Sequence, residues 1–126
     1  MNSSTLIIIP TYNEKENVQL MIDTLFSIST QIFHILIVDD NSPDGTSSIV
    51  ENLQTRYLEK LRLIKRNSKE GIGPAYIAGF RYAIKHNYDR VMQMDCDFSH
   101  NPNYVLDFLK FSEDHNSDFS IGSRYI

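Results

Sequence analysis

In YDRVMQMDCDFSH, residues 88–100, a short apolar run of Val91, Met92 and Met94 stops abruptly at Asp95 and Asp97. Asp-x-Asp directly after a strand points to the mouth of an open sheet, where α/β folds bind their ligands. Residues two apart on a strand share a face, so both carboxylates can address one cation. Two such charges repel when close, and a divalent metal carrying a phosphorylated ligand removes the repulsion. The competing reading is that the pair caps the next helix or sits solvated in a turn.

Working outward, the same pattern of a short apolar run followed by a polar turn recurs along the chain. TLIII at 5–9 is β-branched almost throughout, which suits an interior parallel strand, and Pro10 is expected to end it. Val18, Met21, Ile22, Leu25 and Phe26 follow at helical spacing. FHILIV at 33–38 reads as a second strand ending in Asp39-Asp40. After the turn at 41–45, Thr46 is placed to cap a helix carrying Ile49, Val50, Leu53 and Tyr57. A weaker third strand spans 61–65. Gly71 and Gly73 break the chain before a helix with Ala75, Ala78, Gly79, Tyr82 and Ala83, in which Gly79 marks close packing against the sheet. The fourth strand is 91–95, followed by a helix from near Pro102 and a fifth strand at 117–121. This alternation predicts an α/β domain, a three-layer α/β/α sandwich with a mostly parallel, Rossmann-like sheet. Right-handed crossovers bring residues 10–14, 39–40, 65–73, 95–97 and 122–124 to one edge of it.

With 126 residues the chain fits one domain, and 41% hydrophobic and 22% charged residues are ordinary for a globular protein. A formal net charge of −4 argues against a general polyanion binder, and no nucleic-acid partner is expected, while a local basic pocket has room. The single cysteine, Cys96, cannot form an intrachain disulfide, and its two aspartate neighbours raise rather than lower its pKa, which argues against a nucleophile. LIIIP at 6–10 is too short for a signal or membrane segment, so a cytoplasmic location is the expectation.

The converging residues offer a defined chemistry. Asp39 can accept hydrogen bonds from a base or ribose, with a solvated Asx turn at Asp39-Asp40 as the alternative. There is no Gly-x-Gly-x-x-Gly after the first strand and no Gly-Lys-Ser/Thr loop, so nicotinamide and P-loop chemistry fit poorly. PTYNE provides an aromatic face in Tyr12 and an acceptor in Glu14, although Tyr12 can equally be packing and Glu14 a first-turn helix carboxylate. KEGIGPAY at 69–76 can turn backbone amides toward an anion beside Lys69. Arg124 can bind phosphate through its planar donor fork or stay solvated. His100 is a further donor near the carboxylates.

IIIPTYNEKENV (7–18), VDDNSPDGT (38–46), KEGIGPAYIAGF (69–80), MDCDFSHNP (94–102) and GSRY (122–125) together resemble a family 2 glycosyltransferase of the GT-A fold, closest to the polyprenol-phosphate (dolichol-phosphate) mannose synthases. The resemblance covers essentially the whole chain. It implies that Pro10, Tyr12, Glu14, Asp39, Asp40 and Lys69 belong to the nucleotide-sugar site, with Asp39 toward base or ribose. Asp95 would lie near the nucleotide, Asp97 would hold Mg²⁺ or Mn²⁺ bridging the diphosphate, and Arg124 would face donor or acceptor phosphate. Asp97 and Arg124 are the implied catalytic residues, with Asp95 and Asp97 as metal ligands. Cys96 stands where the family commonly has alanine, and Ser99 where some relatives carry a longer polar ligand.

The implied reaction is a single inverting displacement of mannose from GDP-mannose onto a polyprenyl phosphate. Departure of the nucleoside diphosphate builds negative charge that a cation and Arg124 would neutralise, and an anionic lipid phosphate needs no general base. Members of the family continue beyond GSRY, so residues 1–126 are expected to be the donor-binding part of a longer protein. The remainder would bring the acceptor groove and contact with the cytoplasmic face of a membrane, and apolar surface left uncovered would favour a homo-oligomer. The alternatives are a UDP-sugar transferase with a hydroxyl acceptor, a non-catalytic nucleotide-binding domain, and a haloacid-dehalogenase-like phosphatase with Asp95-Cys-Asp97 as its nucleophile strand.

Overall fold

Four short segments pair in parallel, and the two most apolar of them, 5–11 and 34–39, take the interior positions of the sheet while the charge-bearing 61–65 takes an edge. The computed structural model describes residues 5–28, 33–67, 71–94 and 96. In chain order these form β1 (Thr5–Thr11), α1 (Val18–Ile28), β2 (His34–Asp39), α2 (Thr46–Tyr57), a 3₁₀ turn (Leu58–Lys60), β3 (Leu61–Lys65), α3 (Ile72–Lys85) and β4 (Arg90–Gln93). The sheet order is β3-β2-β1-β4 with every pairing parallel, and Ile7 stands opposite both Ile35 and Met92. β1 therefore lies between β2 and β4, as a strand buried on both faces must lie inside a sheet. The helix and fifth strand expected after residue 101 lie outside the described residues.

Alternation along β1 sorts its side chains to two faces. Ile7 and Ile9 join Ile35, Ile37 and Met92 under α1 and α2, packed on Met21, Ile22, Leu25, Val50 and Leu53. Leu6 and Ile8 join Leu36, Val38 and Val91 on the opposite face, under Ala75 and Ala83 of α3. The result is three layers, helix, sheet and helix, with β1 buried on both faces.

Three local expectations need correction. Pro10 does not end β1, which runs on to Thr11, with Pro10 in register with Val38. Ile8 accepts the Met94 amide, so Ile8 and, two residues on, Pro10 turn their backbone toward β4; β4's pairing stops at Ile8, so the proline's missing N–H leaves no ladder bond unmade. Thr46 is the first residue of α2 rather than its cap, because Gly45, at φ 93°, occupies the cap position and Asp44 Oδ1 accepts the Thr46 amide at 3.0 Å. Only Gly71, at φ 101°, precedes α3; Gly73 lies within it.

Gly79 does mark a close approach. A Cβ there would lie 2.6 Å from Ile8 Cγ2 and 2.8 Å from Ile8 Cδ1. Cγ2 of a β-branched residue in a central strand has no free rotamer to retreat into. Gly79→Ala is therefore expected to destabilise the domain by about 1–2 kcal/mol, overpacking outweighing the gain of roughly 1 kcal/mol in helix propensity. Urea unfolding of the two proteins checks the sign, since propensity alone would make the variant more stable.

Candidate functional site

The loops that leave β1 and β2 are joined side by side at the C-terminal edge of the sheet. Asn13 N donates to Ser42 Oγ at 2.9 Å, Glu14 N to Thr46 Oγ1 at 3.0 Å and Lys15 N to Asp44 Oδ2 at 3.1 Å. Thr46 Oγ1 in turn donates to Asp44 Oδ1. Burial pushes the Asp44 carboxyl up, but the Thr46 hydroxyl, the Lys15 and Thr46 amides and the Lys15 charge together hold it below its ordinary range. The left-handed backbone at Asn13 and Asn41 lets both loops turn tightly enough to meet.

Beneath this seam Asp39 is buried, yet its carboxylate is saturated on one side only. Oδ1 accepts from Thr11 Oγ1 at 2.6 Å and Ser42 Oγ at 2.7 Å, and Oδ2 accepts from Ser42 N at 2.9 Å. A carboxylate has about four acceptor positions, and the described residues fill three of them. Asp40, also buried, is bound to the frame from both ends. Its amide donates to Thr11 O at 3.0 Å, and its Oδ1 lies 3.5 Å from Arg66 Nε. The Arg66 amide donates to Asp39 O at 2.7 Å, which draws the end of β3 into the same site. Asn41 Nδ2 adds a bond to Asn67 O at 3.1 Å.

Of the sequence candidates, Pro10, Tyr12, Glu14, Asp39 and Asp40 come together here. Tyr12 is exposed on the loop after β1. Glu14 is not in the first turn of α1; its carbonyl accepts the Val18 amide at 2.8 Å and its Oε1 accepts from Asn17 Nδ2 at 3.2 Å. Lys69, Asp95, Asp97, Ser99, His100 and Arg124 lie outside the described residues. Their neighbours define where the chain leaves the sheet: Met94 is tied to Ile8 at the end of β4, and Cys96 is buried among the core residues beneath α1. Burial is consistent with Cys96 acting as a small packing residue.

Sequence reading missed Thr11, Ser42, Asp44 and Arg66. Ser-x-Asp-x-Thr before a helix carries a signal in retrospect, because short oxygen side chains at that spacing bond neighbouring backbone amides. Arg66 had only its place one residue past a strand end. Among the described residues no three His, Cys, Asp or Glu side chains gather to hold a metal. Asp39 and Asp40 are engaged with Thr11, Ser42 and Arg66, and the proposed metal ligands Asp95 and Asp97 lie outside the described residues.

A parallel α/β sheet with a polar, acid-bearing seam at its C-terminal edge defines a nucleotide-binding type of domain. The chain belongs to glycosyl transferase family 2, whose model matches residues 6–126. It is 41% identical over 122 residues to a polyprenol monophosphomannose synthase of Mycolicibacterium smegmatis, covering 97% of this chain and 45% of that protein. It is 39% identical over 123 residues to an undecaprenyl-phosphate mannosyltransferase of Micrococcus luteus, covering 96% and 48%. The chain thus spans about half the length of these curated relatives. Among solved structures, S. aureus TarS superposes with a TM-score of 0.73 at 24% identity over 92% of this chain and 33% of that one. The mannosyltransferase PcManGT of Pyrobaculum calidifontis, in complex with GDP-Man and Mn²⁺, does so with 0.59 at 24% identity over 66% and 25%. Both establish the GT-A-like fold. A divalent cation is the family-level expectation. Among the described residues no helix is long and apolar enough to cross a membrane.

Proposed function

We propose that the protein carrying this chain is a metal-dependent inverting glycosyltransferase that moves mannose from GDP-mannose to a polyprenyl phosphate. The observation that carries the reading is the match to two lipid-phosphate mannose-transferring relatives along almost the entire chain. The geometry supports it, because the seam holds Asp39 at the C-terminal edge of the sheet and leaves Tyr12 exposed on the adjoining loop. In this reading Pro10, Tyr12, Glu14, Asp39 and Asp40 form the nucleotide side, and Lys69 and Arg124 bind phosphate. Asp95 and Asp97 would hold Mg²⁺ or Mn²⁺, which when bound supplies charge neutralisation at the departing diphosphate. Arg124 adds donors to the same developing charge, and the acceptor phosphate attacks without a general base.

Radiolabelled GDP-mannose, UDP-glucose and UDP-N-acetylglucosamine, each offered with polyprenyl phosphate and Mg²⁺, test the donor and acceptor. Lipid labelling from GDP-mannose by a longer chain containing these residues is the expected result, with none by residues 1–126 alone. Labelling only from a UDP sugar would overturn the mannose assignment while sparing the fold. Asp97→Ala is expected to lose about 2 kcal/mol or more of Mn²⁺-dependent GDP binding without unfolding the domain. Calorimetry showing equal affinity would remove Asp97 from the metal site.

A further inference from the structure

At the opposite, N-terminal edge of the sheet an open cavity of about 580 Å³ is lined by His34, Arg56, Tyr57, Leu58, Glu59, Lys60 and Arg62. These residues come from the start of β2, the end of α2, the 3₁₀ turn and β3. His34 and Asp39 stand at the two ends of β2, so the cavity is roughly 16 Å from the candidate donor site.

The cavity concentrates cations in a chain whose net charge is −4. Arg62 is held in place, with Nε donating to Glu59 O at 2.7 Å and Nη1 to Tyr82 Oη at 3.0 Å. Among the described residues the Lys60 ammonium has neither an ion-pair nor a hydrogen-bond partner. The charge of Arg56 is shared with Asp23, 3.2 Å away, and Glu59 is the one carboxylate in the lining. His34 Nδ1 is 2.7 Å from Tyr88 Oη, which leaves Nε2 for another partner. Leu58 at the lip is 71% exposed at φ 40°, a backbone conformation unfavourable for leucine. That turn joins α2, which carries Arg56, to β3, which carries Arg62, at the cavity they both line.

We propose that this cavity is a second binding site, for the phosphate group of a small phosphorylated molecule, with Lys60, Arg62 and His34 as its ligands and Tyr57 and Leu58 as an apolar wall. Like charges gathered around an open space repel until an anion enters, and fixed guanidinium donors beside a mobile ammonium suit tetrahedral oxygens. Burial, then the charges of Arg62 and Lys60, hold the His34 pKa below 6.5 despite an opposing pull from Glu59. A bound phosphate reverses that balance and favours the imidazolium. The site is independent of the mannosyl-transfer reading, since it shares no residue with the donor site.

Histidine ring NMR in sodium phosphate and in sodium chloride of equal ionic strength tests it with inorganic phosphate as the probe. Phosphate is expected to raise the His34 pKa by about half a unit or more. Lys60→Gln is expected to abolish the shift, and Lys60→Arg to retain it. Among the described residues the Lys60 side chain makes no hydrogen bond or ion pair, so both variants are expected to keep the fold. No shift at His34, or a shift that persists in Lys60→Gln, would overturn the proposal.

Discussion

Arg66→Met is expected to destabilise the domain by about 3–5 kcal/mol, because it leaves the Asp40 carboxylate buried without its cation. The two side chains are 12% and 7% exposed, so water offers little replacement for the lost partner. Methionine keeps most of the arginine stem, which isolates the charge from the packing. The control is the double variant Arg66→Met with Asp40→Asn, which removes both charges and is expected to recover most of the loss. Urea unfolding of the four proteins closes the cycle. If the single variant lost less than about 1 kcal/mol, the pair would be behaving like an exposed surface bridge. A coupled loss would place Arg66 among the residues that hold the acidic seam in shape.

Asp39→Ala is expected to cost about 3 kcal/mol in stability and to abolish nucleoside diphosphate binding as well. It strips the acceptor from the Thr11 hydroxyl, the Ser42 hydroxyl and the Ser42 amide at once, and each orphaned buried donor costs roughly 1–3 kcal/mol before relaxation. Both hydroxyls can rotate toward other acceptors, so the sum falls short of three full penalties. Asp39→Asn keeps one oxygen for the hydroxyls and is expected to lose less stability than binding, since the remaining acceptor position on Oδ2 disappears with the charge. Calorimetry with GDP alongside urea unfolding separates the two effects. If Asp39→Asn bound GDP as the unchanged protein does, Asp39 would be solely a tie between the loops.

The strands were legible because burial on both faces leaves an unmistakable record, a run such as LIII with no polar interruption. Helical spacing was equally plain in α1 and α2, and Gly79 announced a close packing that Ile8 supplies. The seam was only half legible. Asp39 and Asp40 stood out as charges at the end of an apolar run, whereas Thr11 and Arg66 carried no local signal. Thr11 meets Asp39 across 28 positions, and Arg66 is as remote from Asp40 in the chain.

From its order of residues alone this protein is an α/β domain with its acidic residues at one edge of a parallel sheet, because periodicity and turn chemistry act over a few neighbours at a time. Which side chains meet at that edge was decided by the strand order β3-β2-β1-β4 and its register. That order sets Thr11 opposite Asp39 and Asp39 opposite Lys65, one residue before Arg66, and so turns Asp39 from a turn residue into the buried anchor of two loops. It also carried the chain through Pro10, since a proline's missing donor matters only where a neighbouring strand has an acceptor to meet it. At the other end of β2 the same packing gathers His34, Lys60 and Arg62 around one cavity. His34 is remote from the other two in the chain, and only the folded sheet gives the three a common charge environment.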